Sequence, residues 1–159
     1  MTTEQFWAEF LRQSGRDEST RYTEAFYFDI TEENANALLE LVLSGQKRAT
    51  SSSLKDYEMD GESIPKVGEL SIVTDFAGNP RGVIETTAVS IVPFNELTFD
   101  IVKREGEDST LESWRRGHEK FFRVCAKRHG YEFTYDLPVI FEEFKLIYKK
   151  INPRGILRG

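Results

Sequence analysis

Cysteine and histidine are nearly missing from this chain of 159 residues, which has one Cys and two His. Cys125 alone cannot form an intramolecular disulfide, and no multi-cysteine zinc site can be assembled. His118 and His129 are too few for a three-histidine catalytic zinc centre. No stretch reaches the roughly twenty apolar residues of a membrane helix. The opening MTTEQFWAEF has neither the basic start nor the long apolar run of a secretory leader. A cytoplasmic protein is the expectation. Positive charge is not in excess either. The formal net charge of −6 excludes a domain that coats nucleic acid through a generally basic surface, and leaves room only for a local basic cleft. DNA is not an expected partner, and no internal repeat or low-complexity segment appears.

What is present is apolar mass. Twelve Phe and an apolar fraction of 39% are enough for one domain with a real core. Three parts are expected: a helical extension (1–28), a main domain (29–150) and a frayed tail (151–159). In the extension, Phe6 with Phe10 and Trp7 with Leu11 lie four apart, which predicts a helix over 3–14 ended near Gly15. Residues 19–29 read as a linker whose aromatic knot, Tyr22, Phe26, Tyr27 and Phe28, packs the extension onto the core.

Thr31 is a candidate N-cap, followed by Glu32 and Glu33 in the first turn, where helix dipoles favour anions. Ala35, Leu38, Leu39 and Val42 then follow helical spacing, predicting a helix from about Thr31 to Ser44. The stretch SGQKRAT, Ser44 to Thr50, closes it. Gly45 suits the left-handed position past a helix end. Lys47 and Arg48 either neutralise the helix C-terminus or begin a compact site with the hydroxyls that follow.

After Thr50 a short polar strand is expected. A solvated loop comes next, because the acids from Asp56 to Glu62 do not have the ligand order of a calcium loop. Leu70–Thr74 reads as a strand, Asp75–Arg81 as a hairpin turn and Gly82–Val92 as a long strand. Asn95–Arg104 reads as a short helix. Ser109 with Glu112 resembles a capping box opening a helix that runs to Gly130, and Pro138–Tyr148 reads as the last strand. No βαβ alternation appears. The fold class is therefore α+β, a small mixed β-barrel with helices packed at its ends.

Five segments in this order, LLELVLSGQKRATSS, PKVGELSIVTD, GNPRGVIETTAVSIVPFNEL, EGEDSTLESWRRGHEKFF and LPVIFEEFKLIY, resemble the ASCH domain family of the PUA-like superfamily. They cover about Asp29 to Tyr148. The N-terminal helix is similar to an extension found in one bacterial branch. The resemblance implies a barrel with a cleft beside the Gly-x-Lys helix, and an RNA or nucleoside ligand. Some family members are amidohydrolases that deacetylate acetylcytidine, and another is described as a ribonuclease. Their reactive set is similar to Lys47, Thr50 and Glu107, with Glu105 the fallback acid.

Such a set would work as follows. Thr50 would attack or position a water, Lys47 would accept a proton if burial stripped its own, or else hold the oxyanion, and Glu107 would orient Lys47 or shuttle protons. Arg48, Ser52, Tyr57, Glu105, Trp114 and Arg115 are candidate substrate-binding residues. Each has a plainer alternative: Trp114 in the core, Arg115 on a solvated helix face, Ser52 and Tyr57 as ordinary hydroxyls. His118 falls on the apolar stripe and reads as a core histidine. The acids around Gly106 have no histidine partner in sequence, so no metal or cofactor is expected. A hydrolase, a non-catalytic RNA-binding module and a ribonuclease all remain open.

Overall fold

A computed structural model of the protein describes residues 1–150. The tail expected over 151–159 lies outside the described residues. Helix α1 spans Thr3–Ser14 and opens with a capping box in which Thr2 and Gln5 satisfy each other's backbone N–H groups. Strand β1 is only Ala25–Phe26. Then come α2 (Glu32–Ser44), β2 (Ala49–Ser53), α3 (Leu54–Asp60), β3 (Leu70–Thr74) and β4 (Pro80–Pro93). A 3-10 turn, Phe94–Glu96, leads to α4 (Phe99–Val102) and a second 3-10 turn, Lys103–Glu105; α5 (Leu111–His129) and β5 (Pro138–Lys149) complete the order.

The strands form one mixed sheet in the order β1-β3-β4-β5-β2, parallel only between β1 and β3. Helices α1, α2 and α5 each lay an apolar face on it. Along β3, Leu70 and Ile72 point to α1, where Phe6, Trp7 and Phe10 cover them together with Val83. Val73 points the other way and packs with Ile84 and Phe144 beneath Leu39 and Val42 of α2. Side chains alternating across the pleat explain why all five residues of β3 are buried. A third cluster joins Trp114, Phe122 and Ala126 of α5 to Phe94, Leu97 and Val139.

Several expectations change. The sheet does not close into a barrel among the described residues, because β1 and β2 remain its two edges. The long pair β4–β5 instead bends at register shifts near Val83/Ile84 and Thr86/Ala88. The linker contributes β1, since Phe26 pairs with Val73. The loop expected after β2 begins with α3, which has no buried residue and so shows no apolar stripe in the sequence. The helix expected over 95–104 is broken into a 3-10 turn, α4 and a second 3-10 turn. The cap of α5 is Thr110, whose hydroxyl accepts from the Ser113 N–H, one residue later than Ser109.

Candidate active site

Gly45 takes φ 85° past the end of α2, as its position requires, and the chain turns back at once. The Lys47 N–H reaches the Leu41 carbonyl, so the Lys47 side chain leaves the helix end and enters the protein. It is 2% exposed. Its Nζ donates to Ala49 O at 2.8 Å, Glu105 Oε1 at 3.3 Å and Glu107 Oε2 at 2.6 Å, which uses all three N–H groups of an ammonium. The Lys47 amine therefore does not neutralise the C-terminus of α2.

The two glutamates arrive through Gly106. This residue has φ 73°, and a Cβ there would run into the Gln46 carbonyl oxygen. Gln46 Nε2 donates to Gly106 O at 2.7 Å, and the Arg48 N–H donates to Arg104 O, so the turn is stitched to the start of β2. The left-handed turn sends Glu105 into the core and leaves Glu107 at the cavity.

Glu105 is 1% exposed, and each of its oxygens meets two donors. Oε1 faces Lys47 Nζ and His118 Nε2, at 3.3 Å each. Oε2 accepts from Ser51 Oγ at 2.7 Å and from the Trp114 indole at 2.8 Å. Burial alone would raise this carboxyl, but Lys47, His118 and Ser51 overcome it and hold it well below the usual carboxylate range. Glu107 is the opposite case. Burial raises it, Lys47 pulls against that, and repulsion from Glu105 adds to the rise. Its side chain is 19% exposed, toward the cavity.

The cavity holds about 460 Å³, within the range of small-molecule sites. Its floor is Lys47, Thr50, Ser51, Glu105, Glu107 and His118. Its walls are apolar, with Phe28 and Ile30 before α2, Leu38 on α2, and Phe121 and Val124 on α5. Four carboxylates (Asp29, Glu105, Glu107, Asp108) face it against two lysines (Lys47, Lys120). Glu105, Glu107 and His118 bring three potential ligand atoms within 4.8 Å of one another. Lys47 Nζ already bridges both carboxylates, so an ammonium takes the place a dication would need.

The structure thus brings Lys47, Thr50, Glu107 and Glu105 to one hollow. Thr50 lies on its floor, one register step from Ser51; because strand neighbours alternate, it is the Ser51 hydroxyl that meets Glu105. Five expected binding residues do not line the cavity. Trp114 is 0% exposed and holds Glu105 from behind. Arg115 donates to the Asn95 and Leu97 carbonyls; it lies two residues before Gly117, about 200° around α5, and so faces away from the Gly117, Phe121 and Val124 stripe. Arg48 is exposed. Tyr57 sits near Glu24 and Glu142, where burial and those carboxylates push its hydroxyl up to about 12 while the neighbouring Ser52 pulls the other way. Ser51 and His118, neither of them among the expected site residues, both line the cavity. A signal existed for His118: its spacing of four from Trp114 stacks the two rings at 4.1 Å on one helix face.

A sequence model of the ASCH domain matches residues 24–148, most of the chain. The chain belongs to the ASCH domain family. An ASCH domain structure from Lactobacillus crispatus is 36% identical, with a TM-score of 0.84 over 91% of this chain and 93% of that one. An Enterococcus faecalis protein of family DUF984 is 32% identical, with a TM-score of 0.83 over 91% of this chain and 86% of that one. No curated protein matches the sequence. The ASCH match begins at residue 24, so it takes in β1 and excludes α1. No helix among the described residues is long and apolar enough to cross a membrane.

Proposed function

We propose that this ASCH domain hydrolyses the amide of a small acylated nucleoside on the floor formed by Lys47, Thr50 and Glu107. One observation carries the reading: a buried ammonium is clamped between two carboxylates of opposite character at the floor of a nucleoside-sized cavity. The roles differ from those expected of the sequence. Glu107, raised by burial and by repulsion from Glu105 and facing the cavity, is better suited than Glu105 to take a proton. Lys47 is suited to hold charge rather than to act as base, because two carboxylates bracket it.

In this scheme Glu107 removes a proton from the attacking oxygen, either the Thr50 hydroxyl or a water that it positions. The new C–O bond forms as the carbonyl electrons move onto oxygen. A protonated Glu107 releases its hold on Lys47, and the freed N–H donates to the oxyanion. Collapse breaks the C–N bond, and the proton on Glu107 goes to the leaving amine. If Thr50 is the nucleophile, water then cleaves the acyl-threonine by the same steps.

Four carboxylates against two lysines and His118 leave the cavity without a positive excess, which disfavours a polyanion and supports a neutral nucleoside over RNA. The test incubates the protein with N-acylcytidines and, separately, with a labelled single-stranded RNA. The expected result is release of free amine at a rate that changes little with salt, slowed about 100-fold or more by Lys47→Ala and strongly by Thr50→Ala. RNA cleavage or steeply salt-dependent RNA binding, without amide hydrolysis, would replace this reading by the ribonuclease or binding-module one.

A further inference from the structure

His118 makes two contacts that a neutral imidazole cannot make together. Its Nδ1 lies 2.9 Å from the Trp114 carbonyl oxygen, which only accepts. Its Nε2 lies 3.3 Å from Glu105 Oε1. Glu105 has no proton to offer there, since that oxygen also meets the Lys47 ammonium, and its other oxygen takes the Trp114 indole N–H and Ser51. Both ring nitrogens therefore donate, and the ring is an imidazolium. Stacking on Trp114, with 15° between the planes, fixes its orientation.

We propose that His118 is a positioning residue that decides which glutamate exchanges protons: as an imidazolium it locks Glu105 as a fixed anion and leaves Glu107 as the exchanging carboxylate. The floor then carries two cations, Lys47 and His118, and two anions, Glu105 and Glu107. Glu105 touches both cations, whereas Glu107 touches only Lys47. Two carboxylates sharing one lysine would otherwise compete for a proton, as close carboxylate pairs do. The asymmetry comes from α5. Other charged groups around the ring are Asp29 before α2, Asp108 beside Glu107 and Lys120 on α5, all lining the same cavity. Burial works against a charged ring, and the hydrogen bond and charge of Glu105, with the charge of Glu107, outweigh it.

The charge assignment stands on contacts alone, and only its catalytic consequence rests on the amide-hydrolysis reading. The test is NMR of the uniformly labelled full chain, with His118→Gln used for assignment. At pH 7 both ring nitrogens of His118 should carry protons. The Glu107 carboxyl should titrate above the ordinary glutamate value, and Glu105 should stay ionised through the same range. In His118→Gln the Glu107 midpoint should move up by about one pH unit, and the acid limb of kcat/KM should move with it. A bare Nε2 in the wild-type protein at pH 7 overturns the proposal even if the variant does not fold. An unmoved Glu107 midpoint in a folded variant overturns it too. If the titrations behave as expected but no acylated nucleoside is cleaved, the hydrolase reading fails and the positioning role stands.

Discussion

The two histidines of α5 are built on one plan and put to different use. Each points Nδ1 at the carbonyl four residues back, Trp114 for His118 and Cys125 for His129, at 2.9 Å in both cases. Each points Nε2 at a carboxylate, Glu105 at 3.3 Å and Asp60 at 3.1 Å. The partners differ in exposure: the Glu105 side chain is 2% exposed and that of Asp60 46%. At the surface, His129 joins Asp56, Asp60 and Tyr131 in a clasp that holds α3 to the end of α5. In the interior, the same geometry belongs to a closed charge network beside a cavity. Geometry makes the pair, and burial decides how much the pair controls.

The largest break in this comparison should come from the carboxylates. Glu105→Gln leaves Lys47 and His118 buried with too little negative charge, a loss of about 3–5 kcal/mol. Asp60→Asn breaks a solvated pair and should cost less than about 1 kcal/mol. Denaturant unfolding of both variants checks the contrast; equal losses would contradict it.

Gly106→Ala comes next. It strains a left-handed residue and forces its Cβ into the Gln46 backbone, so the turn must shift and Glu105 must leave Lys47. The expected result is lower stability by more than about 1 kcal/mol and a His118 midpoint that falls, because burial is no longer offset by Glu105, while that of His129 stays. Histidine NMR reads that directly.

A smaller, sharper test is pH. Both histidines are raised above 6.5, His118 by Glu105 and Glu107 against burial, His129 by the Cys125 carbonyl and Asp60. A raised folded value means the stabilisation is complete below 6.5 and is lost as pH rises through the folded value. Melting temperature should therefore fall as pH climbs above 6.5. His118→Gln should flatten most of that slope and His129→Gln the lesser part. The reverse ranking would mean that the surface clasp, not the buried network, dominates.

Much of the fold can be read from the residues. Helix α2 announces itself by Thr31, its apolar stripe and Gly45, and strand β4 by its β-branched run. Helix α5 shows its stripe, though not its capping residue. What stays hidden depends on contacts distant in sequence. Helix α3 has no apolar face and is held by Asp56 and Asp60 reaching Tyr131 and His129. Strand β1 exists only because β3 offers an edge. At the site, the Lys47 motif and the acids around Gly106 are legible as a pair of short patterns. That Glu105 is the hub and Glu107 the cavity-facing acid follows only from the turn at Gly106. Ser51 is indistinguishable from its neighbours until the pleat of β2 selects it.

The central claim is that Glu107 works as a base at a cavity where Lys47 waits to hold an oxyanion. Its most direct test is the rate of amine release from N-acetylcytidine by the intact protein and by Glu107→Gln. The account predicts turnover by the wild-type protein and a loss of about 100-fold or more in the variant. Equal rates in a folded variant, or no release by the wild-type protein, would contradict it.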